Sequence, residues 1–490
     1  MLNFKRRKGR IPSLLASLTP LVVLSILLYV VLKIFGSDAI GGANQIALLT
    51  ATSVCVLISM FVYGQRWDVL EEAMIENIRA SSSAIIILLL IGALSGTWML
   101  SGVVPSMIYY GLQILNPTIF LITSCIVCAV VSIMTGSSWT TIATIGIALM
   151  GIGTAQGFSQ GWIAGAIISG AYFGDKLSML SDTTVLASSA VGVNIFEHIR
   201  YMMITTVPSF IIALTVFGVV GLMGGEAEAI HIEEYSETLE QTFHISPWLM
   251  IIPIITGVLI ANRLPAIITL FASAFMAAVA MAFAQPQILA QIVGSESLNM
   301  GVMTKIEAVL RGCYGATSII TPSVEVNDLI STRGMEGMLT TIWLIICAMC
   351  FGGVMTGSGM LERLTSVFLK YVKRTTSVVG STVFGGIFFN ITTADQYISI
   401  ILTGKLFKDL YKKQGLEGRL LSRSVEDSAS VCSVLVPWNS CGMTQATVLG
   451  VSTFTYIPYC IFNLVSPLMS VAVAYLGYKI KQPKLKDKAQ

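Results

Sequence analysis

The feature that most limits the possible folds of this chain is a series of apolar runs long enough to cross a lipid bilayer. Residues 11–35, 45–63, 83–101 and 201–224 each approach the roughly 20 apolar residues that a transmembrane helix needs. Charged residues make up 11% of the 490 residues, against about 25% in soluble proteins, and 54% are hydrophobic. The sequence therefore predicts an all-α polytopic membrane protein surrounded by the lipid bilayer. It excludes cytosolic enzymes and binding to nucleic acid.

Lysines and arginines predict the orientation of the chain, because they collect in cytoplasmic loops. Five cations precede the first apolar run, and five lysines follow the last one. Residues 226–243 carry six glutamates and no lysine or arginine, so we expect an external loop there. These signs predict about ten transmembrane helices, with both termini in the cytoplasm.

Polar residues interrupt four of the apolar segments. The interruptions at residues 136–141 and 390–396 are each followed by a short apolar return, over residues 142–153 and 397–404, which predicts two re-entrant hairpins. Irregular backbone inside a membrane is tolerated only against protein or a water-filled cavity. We therefore expect all four broken segments to surround a binding site. The other two are broken spans, at residues 161–198 and 424–451.

The two halves of the chain share short matches in the same order. The positions of the cations also place the two halves in opposite orientations across the membrane. Together with these matches, they predict an inverted-topology repeat with broken helices, as in many secondary transporters. The matched pairs are Ser101-Gly102 with Ser358-Gly359, the two hairpin breaks with each other, and Ser181-Asp182-Thr183 with Glu426-Asp427-Ser428.

The repeat divides the chain into five expected parts. Residues 1–82 hold the N-terminal transmembrane helices and an amphipathic segment, and residues 83–200 form the first repeat. Residues 201–337 hold the connecting helices, the acidic loop and a long external connection. Residues 338–453 form the second repeat, and residues 454–490 the last transmembrane helix with a basic tail.

Oxygen-bearing side chains in the broken segments are the candidate cation ligands. A carboxylate inside a membrane costs about 3 kcal/mol, so one without a function or a partner should be rare. Carboxylates and hydroxyls suit hard cations, and a carboxylate withdrawn from water holds a proton more tightly. Structural roles as ion-pair partners or helix caps stay open, above all for Asp175 and Glu426. The predicted cation and proton site comprises Asp182, Asp427, Asp175, Asp395, Thr183, Thr184, Ser428, Thr140, Thr141, Thr392, Thr393 and Asn439.

Lys176 is the one lysine within these broken apolar segments. It is a possible countercharge for Asp175 or a cation that exchanges places with the transported one, and simple pairing or snorkelling is the alternative. Glycines four residues apart, such as Gly170 and Gly174, indicate close helix contact. The nine cysteines lie mostly inside apolar runs and are interpreted as packing residues, the three histidines show no metal-ligand spacing, and no phosphate-binding loop occurs. We therefore expect no cofactor and no resident metal, only transported Na⁺ and H⁺.

Two motifs resemble those of a known family. Residues 170–178, Gly-Ala-Tyr-Phe-Gly-Asp-Lys-Leu-Ser, with residues 180–184, Leu-Ser-Asp-Thr-Thr, are similar to the signature of the NhaC-type Na⁺/H⁺ antiporter family, which includes a malate/lactate exchanger. Residues 196–200 and 426–442 resemble the family as well, and the similarity runs from about Ile11 to Tyr478. Met179 and Val185 depart from the family pattern, at positions that bear on the choice of cation.

The resemblance implies Na⁺-coupled antiport, whereas the residues alone imply only cation-coupled secondary transport. We expect Na⁺ and protons to bind alternately at Asp182 and Asp427, between the two repeats. The alternative is an exchanger that also carries an organic anion. This alternative is disfavoured because no cluster of arginines that could bind a carboxylate lies in a span. Arg423 is predicted to lie among the cytoplasmic cations. A passive channel fits the spans but not the paired broken segments. Whether the transporter is a homodimer stays open.

Overall fold

The computed structural model describes residues 12–35, 41–223, 229–262, 264–295, 297–321, 327, 330–368 and 374–480. Within these ranges the regular structure is helical, apart from an isolated bridge between Thr317 and Thr332, so the all-α prediction is confirmed. The described residues contain 8 helices that are long and apolar enough to cross a membrane, or up to 10 if each of two bent pairs is one span. The terminal cations before residue 12 and after residue 480 lie outside the described residues.

The first half of the chain forms a series of helices up to the long span α11. A π-helical turn, Ile142–Gly146, joins α7 to α8 without a break. The helices are α1 (Leu14–Phe35), α2 (Ala43–Leu57), α3 (Trp67–Ala80), α4 (Ser82–Leu100), α5 (Val103–Ile114), α6 (Phe120–Thr135), α7 (Ser138–Thr141), α8 (Ile147–Ala155), α9 (Gln160–Leu177), α10 (Asp182–Val191) and α11 (Ile195–Met223).

The connection between the halves contains a helix where a loop is predicted. Residues 226–243 include α12 (Ala229–Thr242), so most of the predicted loop is helical, and its external location stays a prediction. Two short helices occupy the described part of the long connection that follows, and neither is long enough to span a membrane. The remaining helices here are α13 (Ile251–Ala261), α14 (Ala266–Ala284), α15 (Pro286–Val293) and α16 (Val302–Tyr314).

The second half, like the first, contains short π-helical and 3₁₀ turns. The helix Gly418–Val425 continues directly into a π-helical turn, Glu426–Ser430, and a short 3₁₀ turn, Ser433–Leu435, follows it. The helices are α17 (Gly334–Gly357), α18 (Met360–Phe368), α19 (Thr375–Thr393), α20 (Gln396–Lys413), α21 (Gly418–Val425), α22 (Ser440–Leu449), α23 (Thr453–Tyr456) and α24 (Ile461–Leu476).

Both hairpins have longer return arms than predicted. In the first, the helix begins at Ser138 because the Ser137 side chain caps it, and the arm from Ser138 to Ala155 has 18 residues, enough to cross a membrane. In the second, Asp395 caps α20, which runs for 18 residues to Lys413. The predicted short returns are therefore wrong, because side-chain caps start both helices within the polar breaks.

Equivalent helix ends in the two halves are separated by a constant number of residues. Each hairpin tip has a residue in the left-handed conformation followed by an N-cap, and each broken span later has an N-cap, a ten-residue helix and a left-handed glycine. Each equivalent pair is 258 positions apart in the chain. The pairs are Gly136 with Ala394, Ser137 with Asp395, Ser181 with Asn439, and Gly192 with Gly450.

Side-chain hydrogen bonds follow the same interval. The hydroxyls of Thr135 and Thr141 are 3.2 Å apart in the first hairpin, and those of Thr393 and Ser399 are 3.1 Å apart in the second. These matches support an internal repeat. They also correct one predicted pairing, since Ser181-Asp182-Thr183 corresponds to Asn439-Ser440-Cys441 and not to residues 426–428. The opposite orientation of the repeats stays a prediction.

Close packing of α9 against α6 places the end of α9 deep in the protein. A Cβ on Gly170 would lie 2.1 Å from the carbonyl oxygen of Cys125, and one on Gly174 would lie 2.3 Å from that of Ala129. Only glycine fits at such distances, so the contact predicted from the glycine spacing is confirmed. Asp175 follows Gly174 directly and is therefore held inside the bundle.

Candidate functional site

A buried ion pair joins the two halves of the chain. Lys176 Nζ donates a hydrogen bond to Asp427 Oδ1, and the two side chains are 1% and 0% exposed. Thr205 and Ser466 donate to the same oxygen, at 3.2 and 3.1 Å. The partner of Lys176 is therefore Asp427, and not Asp175 as considered from the sequence. The charge of Asp427 is already compensated within the protein.

A second acidic cluster lies beside this pair and consists of Asp175 and Glu426. Asp175 is 7% exposed and Glu426 is 0% exposed. Ser138 donates to Asp175 Oδ2 at 2.7 Å, while Glu426 accepts from Ser430 at 2.7 Å and from Thr183 at 3.2 Å. The two carboxylates are close enough to interact electrostatically, and Lys176 also acts on Glu426.

The acidic cluster differs from the ion pair in its neighbours. Within the described ranges, no lysine or arginine forms an ion pair with Asp175 or Glu426. Hydroxyl groups are the hydrogen-bond donors to both carboxylates. Such an oxygen-rich, negatively charged pocket suits a hard monovalent cation or a proton.

The π-helical turn explains how Glu426 reaches this position. A π-turn widens the helix and leaves carbonyl groups without their usual partners, and such turns are frequent at functional sites. Here the Asn390 amide donates to the Ala429 carbonyl at 2.8 Å, and the Gln396 amide donates to that of Ser430 at 3.0 Å. The second hairpin thereby fixes the turn that carries Glu426 and Asp427.

Asp182 is not part of either buried cluster. It lies on the first turn of α10, where it is exposed, although its charge acts on Asp175. The structure therefore does not bring Asp182 and Asp427 together as the predicted pair. Thr184 donates to the carbonyl of Lys176 at 3.2 Å and closes the end of α9, whereas Thr183 binds Glu426.

The other predicted ligands cap helices or form hydrogen bonds with neighbouring protein groups. Asp395 caps α20 and accepts from Ser440 at 3.2 Å, and Asn439 caps α22 and donates to Asn390. The hydroxyls bind carbonyls or a hydroxyl within their own helices and hairpins: Thr140, Thr141, Thr392, Thr393 and Ser428. Their hydrogen bonds fit structural roles.

Two residues of the site were outside the predicted set. Glu426 is considered an intramembrane acid with a structural role left open, but it is not among the predicted ligands. Arg423 is predicted to be cytoplasmic, yet it is 0% exposed, and its Nε lies 3.9 Å from Asp427 Oδ2. The four-residue spacing between Arg423 and Asp427 was the available signal, since it places both on one helix face.

The sequence profile of the Na⁺/H⁺ antiporter family matches residues 170–478, which contain both buried clusters. The chain belongs to this family. It is 34% identical over 435 residues to the malate-2H⁺/Na⁺-lactate antiporter of Bacillus subtilis, covering 88% of this chain and 89% of the relative. It is also 34% identical to the Na⁺/H⁺ antiporter NhaC of Alkalihalophilus pseudofirmus, covering 89% of this chain and 92% of the relative.

The antiporter-family chain also has a distant likeness to a solved structure. MtrF of Neisseria gonorrhoeae is 14% identical, with 84% of this chain and 86% of that chain covered, at a TM-score of 0.34. That score is too low to carry an argument. Family membership and the apolar helices make this chain a multi-pass membrane protein of the antiporter type, and the resemblance found in its motifs is confirmed.

Proposed function

We propose that this protein exchanges Na⁺ for H⁺ across the bacterial cytoplasmic membrane, with both ions competing for Asp175 and Glu426. The observation that carries the proposal is the pair of buried carboxylates that accept hydrogen bonds from hydroxyl groups and form no ion pair with the described lysines and arginines. Two nearby carboxylates in a site shielded from water do not readily carry two negative charges. Binding of a proton or a Na⁺ ion relieves the repulsion between the two carboxylates, and binding of either ion alone is enough.

Asp427 has a different role in this proposal. Its charge is balanced by Lys176, and it accepts two hydroxyl hydrogen bonds on the same oxygen. An incoming Na⁺ would have to displace the lysine, whereas it could enter the Asp175–Glu426 cluster without breaking an ion pair. Asp427 therefore holds α9 against the π-turn and does not exchange ions.

Alternating access follows from the origin of the two carboxylates. Asp175 ends α9 in the first repeat, and Glu426 lies in the π-turn of the second. A shift of one repeat against the other would change the separation of the carboxylates and the side from which ions reach them. This arrangement agrees with transporters that bind ions between repeats at broken helices.

The test uses everted membrane vesicles that hold a pH gradient. Added Na⁺ should dissipate the gradient with wild-type protein, and Asp175→Asn and Glu426→Gln should each abolish that response. Glu307→Gln is the matched control, because Glu307 is an exposed acid paired with Arg311 on α16. Full Na⁺-driven proton movement in both site variants would exclude this cluster.

Exchange of an organic anion together with cations is the second candidate function. It is favoured by the identity with a relative whose name includes malate and lactate. The same vesicles separate the two functions. Dissipation by Na⁺ alone supports simple cation antiport, whereas dissipation only in the presence of lactate or malate supports the second function.

A further inference from the structure

Arg423 is buried without the partners that a guanidinium normally has. Its Nε, Nη1 and Nη2 atoms make no hydrogen bond to any described residue, although the side chain is 0% exposed. Asp427 Oδ2 lies 3.9 Å from Nε and likewise has no hydrogen-bond partner among the described residues. Buried charges are ordinarily paired and hydrogen-bonded, so the donors of Arg423 indicate a missing partner.

Arg423 shares Asp427 with Lys176. Lys176 donates to Oδ1 of Asp427, whereas Arg423 lies 3.9 Å from Oδ2, beyond hydrogen-bond distance. The oxygens of Glu426 accept from Thr183 and Ser430. The guanidinium donors therefore have no acceptor of their own in the part of the chain that the structure describes, and the carboxylate of a ligand would supply one.

Three helices surround the guanidinium. The ring of Tyr201 on α11 lies 4.9 Å from the guanidinium carbon, and its hydroxyl donates to the carbonyl of Lys479, just beyond α24. Helix α24 therefore runs from Ser466, beside Asp427, toward the level of Arg423. Ser470 lies one turn along that path, and its hydroxyl is buried without a hydrogen-bond partner.

We propose that Arg423 binds a small monocarboxylate, with the hydroxyl of Ser470 as a second donor. The planar guanidinium presents two parallel N–H groups, which match the two oxygens of a carboxylate. The aromatic ring of Tyr201 covers one side of the guanidinium and excludes water from it. The site rests on the second candidate function, exchange of an organic anion, and names the residues that would bind that anion. It is separate from the Asp175–Glu426 cluster, so carboxylate binding and cation exchange can each fail without the other.

The test measures binding of radiolabelled lactate to purified full-length protein at fixed Na⁺ concentration. Wild-type protein should bind lactate, and unlabelled acetate should compete while chloride should not. Arg423→Lys keeps the charge but loses the paired N–H groups, so its dissociation constant for lactate should rise at least about tenfold. Ser470→Ala should weaken binding about threefold to tenfold.

Na⁺ binding to the same preparations shows whether each variant is folded and whether the cation site is intact. Retained Na⁺ binding with lost lactate binding in Arg423→Lys supports the proposal. Absence of lactate binding to the wild type, equal lactate affinity in Arg423→Lys, or equal competition by chloride would each overturn it. Loss of Na⁺ binding in Asp175→Asn with lactate binding kept would separate the two sites.

Discussion

At the residue scale, the two buried acidic clusters differ in what neutralises them. Asp427 has a lysine, two hydroxyls and a nearby arginine, whereas Asp175 and Glu426 accept hydrogen bonds from hydroxyls and form no ion pair within the described ranges. Removing one member of a buried ion pair leaves an uncompensated charge, which costs far more than removing an exposed pair. The ion pair and the exchange site should therefore respond differently to substitution.

Lys176→Met should lower the free energy of unfolding by roughly 3–5 kcal/mol, because it strands the Asp427 carboxylate inside the protein. Adding Asp427→Asn to this variant should recover part of the loss, since the stranded charge is removed. Arg311→Met is the control, because its ion pair with Glu307 is about half exposed and should contribute less than about 1 kcal/mol. Thermal unfolding of the purified variants measures the loss of stability in all three. Equal losses of stability in Lys176→Met and Arg311→Met would contradict a structural role for the Lys176–Asp427 ion pair.

Asp182→Asn should raise the KM for Na⁺ by about twofold or more without abolishing exchange. Asp182 is exposed and its charge acts on Asp175, so it should attract cations toward the site without binding them. The effect should shrink at high ionic strength, because salt screens exposed charges. Rates of Na⁺-driven proton movement at several Na⁺ concentrations give the KM, and complete loss of exchange at saturating Na⁺ would make Asp182 a ligand.

At the element scale, the hairpin tips depend on residues in the left-handed conformation. Gly136 has a φ of 66°, and a Cβ there would lie 2.6 Å from the Cβ of Leu180, in the segment between α9 and α10. The first hairpin therefore packs directly against the break that follows Asp175. This contact links the hairpin to the position of the acidic cluster.

Gly136→Ala should destabilise the protein by more than Gly450→Ala. Both glycines have a left-handed φ, which costs an alanine about 1 kcal/mol, but a Cβ at Gly450 would meet nothing within 4 Å. The extra loss at Gly136 measures the contact with Leu180. Thermal unfolding of the two variants gives the comparison, and equal losses would mean that the hairpin tip does not pack against this break.

The elements also show what sequence could predict. Composition predicted the spans, and polar breaks predicted the broken segments, because both depend on local hydropathy. The length of the return arms was missed, since it depends on caps at Ser137 and Asp395. The burial of Arg423 was missed as well, because a cation after a cytoplasmic loop has the same local pattern whether or not other helices cover it.

At the scale of the whole molecule, the constant 258-residue interval relates equivalent positions of the two halves. The acids of the site do not occupy equivalent positions. Asp175 corresponds to Ser433, and Glu426 corresponds to Ile168, so each half supplies a carboxylate where the other has an uncharged residue. The exchange site is therefore asymmetric within a repeated fold. The sequence located the four segments that meet there but misjudged which acids remain free, because ion pairing across 251 residues is not visible locally.

The most direct measurement is Na⁺ binding to purified protein as a function of pH, with wild type, Asp175→Asn and Glu426→Gln side by side. If Na⁺ and protons compete for the two carboxylates, Na⁺ affinity in the wild type should fall as pH falls, and Na⁺ addition should release protons into weakly buffered solution. Both effects should be lost in the two variants. Na⁺ affinity that does not change with pH, or that survives in both variants, would contradict exchange at Asp175 and Glu426.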